Sequence, residues 1–371
     1  MDILELHMIR NYPLSRLNRD ENGSPKCFIF GGYPRASISS QCIKRAIRMY
    51  LKQSKPESFG GIRTKFFVGH LKDALVSKKM DAELALQLAT AVGDYLSSMD
   101  TSDESGLKTK TALFYSKMEI EGIASLIHAA HKKDKLEEVF KVTQPKKGPL
   151  VYSLDKNKAK LLKGLNAMDM VDVALFGRMV AGDSSLKVEA ATSFAHPFSV
   201  HASSNEPDFF SAVEESPLAE ESGAAHIGEA EYNSACYYSY VSINLDELKT
   251  GLLAEMSEAE RTAAIEAFIE ACIIVTPPAS KHGMFAATQP YSVIGLVRKG
   301  SFEISLANAF EKPLSKSSEG YSVSATARLK EEWEKHKTSY GKRLGLEKGC
   351  EIQWTLGGSL DNFIGGLLKN V

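Results

Sequence analysis

Apolar and polar positions alternate with period two over residues 3–9 (ILELHMI), which predicts a first strand with His7 on one face. A lone histidine on such a strand reads first as a packed, hydrogen-bonded residue. Ser39 or Ser40 then caps a helix to about Ser54, with Ile43, Ala46, Ile47, Tyr50 and Leu51 at helical spacing. Residues 60–165 are mostly helical in pattern, most clearly at 80–96 and 118–133, where apolar residues recur at three and four. Residues 168–180 (MDMVDVALFGRMV) predict a return to strand.

Residues 182–231 show no regular period, yet hold Phe194, Phe198, Phe209 and Phe210. That aromatic content argues against a plain linker, so the stretch predicts an excursion that docks on something. A strand follows at 232–245, then a helix at 257–275. A capping box, Ser257 with Glu260, opens that helix, and Pro277 and Pro278 end it. A strand at 291–297, a helix at 325–340, a short strand at 352–356 and a short helix at 360–369 complete the pattern. With insertions set aside, the order is β-α-β-β-α-β plus an extension. This is the order of a ferredoxin-like, or RNA-recognition-motif, α+β core. The aromatic RNP motif of that fold is absent, so contacts to a nucleic-acid backbone carry more weight than bases stacked on the sheet.

The 371 residues suit one elaborated domain or two to three lobes. Hydrophobic content of 43% and charged content of 25% are those of a soluble globular protein. Five widely spaced cysteines without a CxxC pair argue against a zinc ribbon or a disulfide framework. A reducing, cytoplasmic setting fits. The N-terminus is no secretory signal, and no run of about 18 apolar residues suggests a membrane span.

Charge changes the picture. The formal net charge is −1, but eleven Lys/Arg against three Asp/Glu fall between Arg16 and Lys65. Between Lys187 and Lys249 there are eleven Asp/Glu and no Lys or Arg. One copy's acidic part could meet the next copy's basic part in a head-to-tail contact that propagates. The alternative is two solvated surfaces that face elsewhere.

Within the basic part, residues 17–48 (LNRDENGSPKCFIFGGYPRASISSQCIKRAIR) join a Gly-containing basic loop to a helix start. Polar side chains and amides at the helix N-terminus accept anions, and Lys/Arg neutralise the rest, so the segment suits a phosphate backbone. Lys44, Arg48 and Lys52 form an i, i+4 row with Arg45 beside them. Lysines between Lys132 and Lys163 form a second basic tract, read as the rim of a helical insertion or as a solubilising surface.

Catalytic signatures are missing. There is no GxxxxGK[ST] loop, no GxGxxG after a strand, no HExxH, no EF-hand loop and no GxSxG elbow. His128 and His131 lack a third ligand, so neither a metal nor another cofactor is expected. Asp20, beside Arg19, reads as an ion pair or loop cap, with a carboxylate near RNA as the other possibility.

Four segments carry a family resemblance in spacing and order: residues 17–48, 171–179 (VDVALFGRM), 211–245 (SAVEESPLAEESGAAHIGEAEYNSACYYSYVSINL) and 304–314 (ISLANAFEKPL). Over most of its length the chain resembles the CasC family, the repeated backbone subunit of the type I-E CRISPR surveillance complex Cascade. The resemblance implies a modified RNA-recognition-motif palm (1–59, 166–192 and 231–371), helical fingers (60–165) and a long thumb hairpin (193–230). It implies a non-enzymatic subunit, several copies of which polymerise along the spacer of a crRNA. Each palm would hold the RNA backbone, and a neighbour's thumb would kink the strand at intervals. The exposed segments would then pair with a target DNA strand in antiviral defence.

Residue by residue, the resemblance implies RNA contacts from Arg19 and Lys26 in the loop. Others would come from Ser39, Ser40, Gln41, Lys44, Arg45 and Arg48 on the helix. Met179 would pack against the displaced nucleotide, and Lys156, Lys158, Lys160 and Lys163 would touch DNA. The implied partners are other copies of the chain, subunits of the CasA, CasB, CasD and CasE types, and, indirectly, a recruited helicase-nuclease. The competing reading is an RNA-guided ribonuclease, like type III backbone proteins, with Asp20 as its catalytic aspartate. A third is a general RNA-binding protein that acts alone.

Overall fold

The computed structural model describes residues 1–146, 148–154, 157–158, 169–213, 224–254, 256–279 and 281–371. Two compact units are present. The first comprises Met1–Tyr50, Thr192–Asp246 and Ile265–Val371; the second comprises Leu51–Ala191 and Glu247–Ala264.

In chain order, strand β1 (Ile3–Ser15) leads to the hairpin β2 (Cys27–Phe30) and β3 (Tyr33–Ala36), then helix α1 (Ser40–Ser54). Next come β4 (Ile62–Thr64), α2 (Phe67–Ser77), α3 (Ala82–Ser97), β5 (Leu113–Tyr115), α4 (Lys117–Lys132) and α5 (Leu136–Val139). A small hairpin, β6 (Lys141–Thr143) with β7 (Val151–Ser153), precedes α6 (Val171–Phe176). The chain continues through β8 (Thr192–Phe194), β9 (Phe198–Ser199), β10 (Glu206–Val213) and β11 (Ala224–Asn244). It ends with α7 (Leu245–Thr250), α8 (Glu258–Ile274), β12 (Ser292–Arg298), α9 (Ser322–Tyr340), β13 (Cys350–Thr355) and α10 (Leu360–Leu368).

The first unit is organised by an antiparallel sheet in the order β10-β11-β1-β12-β13, with β8 and β9 also paired to β11. The β1–β11 ladder runs from Ile3↔Asn244 to Tyr12↔Ala235 and slips before Ser15↔Asn233. Pro13 and its missing amide sit at that slip. One sheet face is covered by α9. There Ile9, Tyr238, Ile294 and Leu296 pack with Leu329 and Trp333. On the other face, Met8 and Arg10 of β1 line a small cleft with Ile43 and Ile47 of α1 and Cys272 of α8.

The core contains charge. Glu5 and Arg298 pair at 2.6 Å, and both are fully buried. The Glu5 carboxylate also accepts the Tyr240 hydroxyl at 2.7 Å and the Ile304 amide at 2.9 Å. Burial raises the Glu5 pKa, and the Arg298 guanidinium works against that shift. A buried charge is tolerated only when paired and hydrogen-bonded, so these partners hold residues 301–306 against the sheet.

The second unit packs α2, α3 and α4 around Leu71, Leu88, Val92, Ile123 and Ile127. The Asp81 carboxylate caps α3 by accepting the Glu83 and Leu84 amides, and the Ser116 hydroxyl caps α4 by accepting the Glu119 amide. The expected strand over 168–180 is instead α6, with Val171, Val173 and Leu175 buried. A short apolar run fits a buried strand and a buried helical turn equally well. Here Gly177, at φ +77°, ends the helix. The strand that pairs with β11 at this point of the order is β8.

Candidate nucleic-acid interface

The basic loop after β1 is built by its own hydrogen bonds. The Asp20 Oδ1 accepts the Asn22 amide at 2.9 Å and the Ser24 amide at 3.0 Å, closing an Asx-type turn. The Lys26 amide donates to the Asn18 carbonyl at 3.0 Å. The Asn18 side-chain oxygen accepts the Ser39 amide at 2.8 Å, which ties the loop to the start of α1. Ser39 is the cap: its hydroxyl accepts the Cys42 amide at 3.3 Å. No acidic residue occupies the first turn of α1, and first-turn amides have no acceptor within their own helix.

Around this junction, Arg19, Gln41 and Arg45 are exposed. Lys26, Lys44 and Arg48 are half-buried, and Ser39 and Ser40 are buried. The Lys44 ammonium stands 5.1 Å from the Phe194 ring centroid, and burial lowers its pKa. The seven first-unit side chains from Ser39 to Arg48 and Lys26, together with Arg19, therefore belong to one loop-and-helix assembly. Met179 belongs to the second unit and is 79% exposed. It follows Arg178, whose guanidinium meets Glu119 at 2.6 Å and whose backbone bridges to Val188. Lys158 donates to the Glu137 carbonyl and, at 3.2 Å, to that of Glu138. Lys156, Lys160 and Lys163 lie outside the described residues.

Sequence reasoning missed the β2–β3 hairpin and its anchor. The turn is Gly31-Gly32, both with positive φ, +60° and +80°. A two-glycine turn between FIF and YPRA is a hairpin signal available in the sequence. A Cβ on Gly31 would fall 1.9 Å from the Glu311 carbonyl oxygen. Arg35, counted among the basic residues, is fully buried. Its guanidinium donates to the carbonyls of Ser199 at 2.7 Å, Phe310 at 2.6 Å and Glu311 at 3.0 Å. It therefore holds the hairpin and is not part of the outward charge.

The irregular stretch is sorted by its phenylalanines. Phe198 is buried and Phe194 half-buried, whereas Phe209 is 70% and Phe210 44% exposed on the β10–β11 hairpin. The pairing runs from Glu206↔Tyr232 to Val213↔Ala224. Phe210 faces Gly228, where an added Cβ would lie 2.5 Å from its ring. The glycine thus lets an aromatic ring lie across the partner strand. Glu214, Glu215, Glu220 and Glu221 fall outside the described residues.

Among the described residues, no helix is long and apolar enough to cross a membrane. No group of three or more His, Cys, Asp or Glu among them could hold a metal ion.

Comparison with solved structures gives two close likenesses. One is a chain of a "CRISPR RNA-guided surveillance complex, pre-nicking", with TM-score 0.80, 27% identity, and coverage of 98% of this chain and 95% of that one. The other, from a "CRISPR RNA-guided surveillance complex", has TM-score 0.72 and 24% identity with full coverage of both chains, and shows the shared fold. No curated protein sequence matches significantly. The family of the CT1975-like protein matches residues 4–355, nearly the whole chain. The chain belongs to this CT1975-like, CasC-type family.

Proposed function

We propose that the chain is the repeated, crRNA-binding backbone subunit of a Cascade-type surveillance complex, of type I-E. The observation that carries this reading is the loop-and-helix junction held by the Asn18–Ser39 bond. It gathers Arg19, Lys26, Gln41, Lys44, Arg45 and Arg48 beside a helix start free of acids. Such a surface favours phosphates and sugars, which carry no sequence information. A subunit that must accept any spacer needs that indifference, and the guide's own pairing supplies specificity. The likeness to a chain of an RNA-guided surveillance complex supports the same reading.

In this reading the first unit contains a modified RNA-recognition-motif palm. The order β8-β11-β1-β12, with α1 and α8 between strands along the chain, supports it. The β10–β11 hairpin acts as the thumb, and its exposed Phe209 and Phe210 wedge between bases of the RNA held by a neighbouring copy. The hairpin strands carry Glu206, Asp208, Glu229 and Glu231 and no Lys or Arg, which suits a meeting with the next copy's basic loop. Met179 packs against the displaced nucleotide, and lysines of the second unit face the DNA strand. Subunits of the CasA, CasB, CasD and CasE types complete the complex, in the cytoplasm.

No catalysis is assigned to the subunit. The engagement of Asp20 with two amides of its own loop supports a loop-holding role. Target-RNA cleavage at regular spacing, lost in Asp20→Ala, would reverse that assignment. The direct test is co-expression with a CRISPR array and its neighbouring genes, followed by sequencing of the co-purified nucleic acid. Uniform repeat-flanked RNAs on a multi-copy assembly are expected. A monomer without RNA, or with RNA of all lengths, would refute the reading.

A further inference from the structure

Residues 275–291 connect α8 to β12, and the described residues among them belong to no helix or strand. Both ends of this loop are fixed to the first unit. At its start, the buried Arg10 guanidinium donates to the Ile273 carbonyl, the Val275 carbonyl at 2.8 Å and the Thr276 hydroxyl at 3.3 Å. At its end, the Thr288 hydroxyl donates to the Asn11 carbonyl, and the Tyr291 amide donates to the Ile9 carbonyl at 2.8 Å. Between them Ala286 is buried in one cluster with Tyr12, Leu17, Ile38 and Tyr237, against which Cys42 and Ile43 of α1 also pack. Leu17 begins the basic loop, Ile38 precedes the cap Ser39, and Ile43 precedes Lys44. The loop is thus anchored in the cluster that underlies the phosphate-binding junction.

What the loop presents outward is unusual for a connector. Phe285, adjacent to the buried Ala286, is 73% exposed, and Lys281 and His282 are exposed beside it in sequence. Leaving an aromatic ring in water on an anchored loop forfeits burial that other core phenylalanines obtain. An aromatic ring near a lysine, next to a phosphate-gripping surface, is the arrangement by which single strands are held: the cation follows the backbone and the ring stacks on a base.

We propose that Phe285, with Lys281 and His282, forms a second wall of the RNA path and stacks on one base of the bound single strand. The inference rests on the proposed reading of the α1 junction as the RNA grip, and the two can fail separately.

The test is equilibrium binding of a fluorescein-labelled oligouridine to the full chain over a salt series. Phe285→Ala is expected to weaken binding roughly tenfold at fixed salt, as loss of one stacked base does, and to leave the salt slope unchanged. Phe285→Trp is expected to bind like the parent chain. Lys281→Ala is expected to flatten the slope by about 0.7 if it neutralises one phosphate. Parent-like RNA binding by Phe285→Ala overturns the inference. If that variant also forms shorter assemblies, the ring makes a contact between copies instead. A Lys44→Ala/Arg45→Ala/Arg48→Ala variant separates the cases. If it binds RNA normally, the α1 reading fails; if it loses binding while Phe285→Ala does not, only the second wall fails. Unchanged far-ultraviolet circular dichroism shows that each variant is folded.

Discussion

His7 makes the stability of the first unit depend on pH in a calculable way. It is fully buried beneath the sheet, with Nδ1 3.0 Å from the Tyr238 hydroxyl and Nε2 without a hydrogen-bond partner. Burial first, then the charges of Arg298 and His336, hold its pKa down to about 3 from an ordinary 6.5. The unfolded chain therefore takes up a proton that the native chain refuses. Stability is fully present above pH 6.5 and is lost as pH falls toward 3. At pH 5 the unfolded ring is charged and the native one is not, which favours unfolding by about 2 kcal/mol relative to pH 8.

Other buried groups also titrate, so the comparison needs a variant. His7→Phe keeps a ring of similar size and leaves the Tyr238 hydroxyl its Leu306 amide, 2.9 Å away. The chain's two tryptophans, Trp333 and Trp354, are buried in the same unit as His7, so their fluorescence reports the relevant unfolding. In urea titrations, the stability difference between His7→Phe and the parent should shift by about 2 kcal/mol in the variant's favour from pH 8 to pH 5. Parallel pH profiles for the two chains would refute the argument.

Three further outcomes are expected. Replacing Lys44, Arg45 and Arg48 by alanine should flatten the salt dependence of RNA binding, by about 0.7 in slope for each phosphate contact removed; an unchanged slope moves the RNA path off α1. Arg35→Ala should cost about 3 kcal/mol in urea unfolding, because three carbonyls lose a buried charged donor, and Arg35→Lys should recover only part of this. Arg178→Met leaves the Glu119 carboxylate buried without its cation and should speed hydrogen exchange in α4, whereas adding Glu119→Gln should restore protection.

Much of the fold was legible because it is encoded locally. The capping box at α8 is real: the Ser257 hydroxyl accepts the Glu260 amide at 3.3 Å, and the Glu260 carboxylate accepts the Ser257 amide at 2.9 Å. The apolar spacing of α1 places Ala46, Ile47 and Leu51 in the core as read. What was not legible depends on contacts distant in sequence. The tie between Asn18 and Ser39 spans 21 residues, and Arg35 turns inward to carbonyls more than 160 residues away. Charge counting cannot separate that arginine from Arg45, which is exposed. The pattern of 168–180 could not choose between strand and helix, since packing rather than period decides a six-residue run. Lys158, read as part of a basic rim, donates to the Glu137 and Glu138 carbonyls, a tie that charge counting does not show.

Strand β11 runs for 21 residues from the centre of the sheet to the hairpin with β10. At about 3.3 Å per residue it spans on the order of 65 Å if straight. A projection joined through a loop can swing and vary its reach. One that is the far end of a core strand inherits its direction and length from the ladder with β1, and can be displaced only by breaking that register. The spacing between copies in an assembly would then be a quantity of fold stability, not of linker length. Substitutions that loosen the β1–β11 ladder would make that interval irregular before they weakened any contact at the tip.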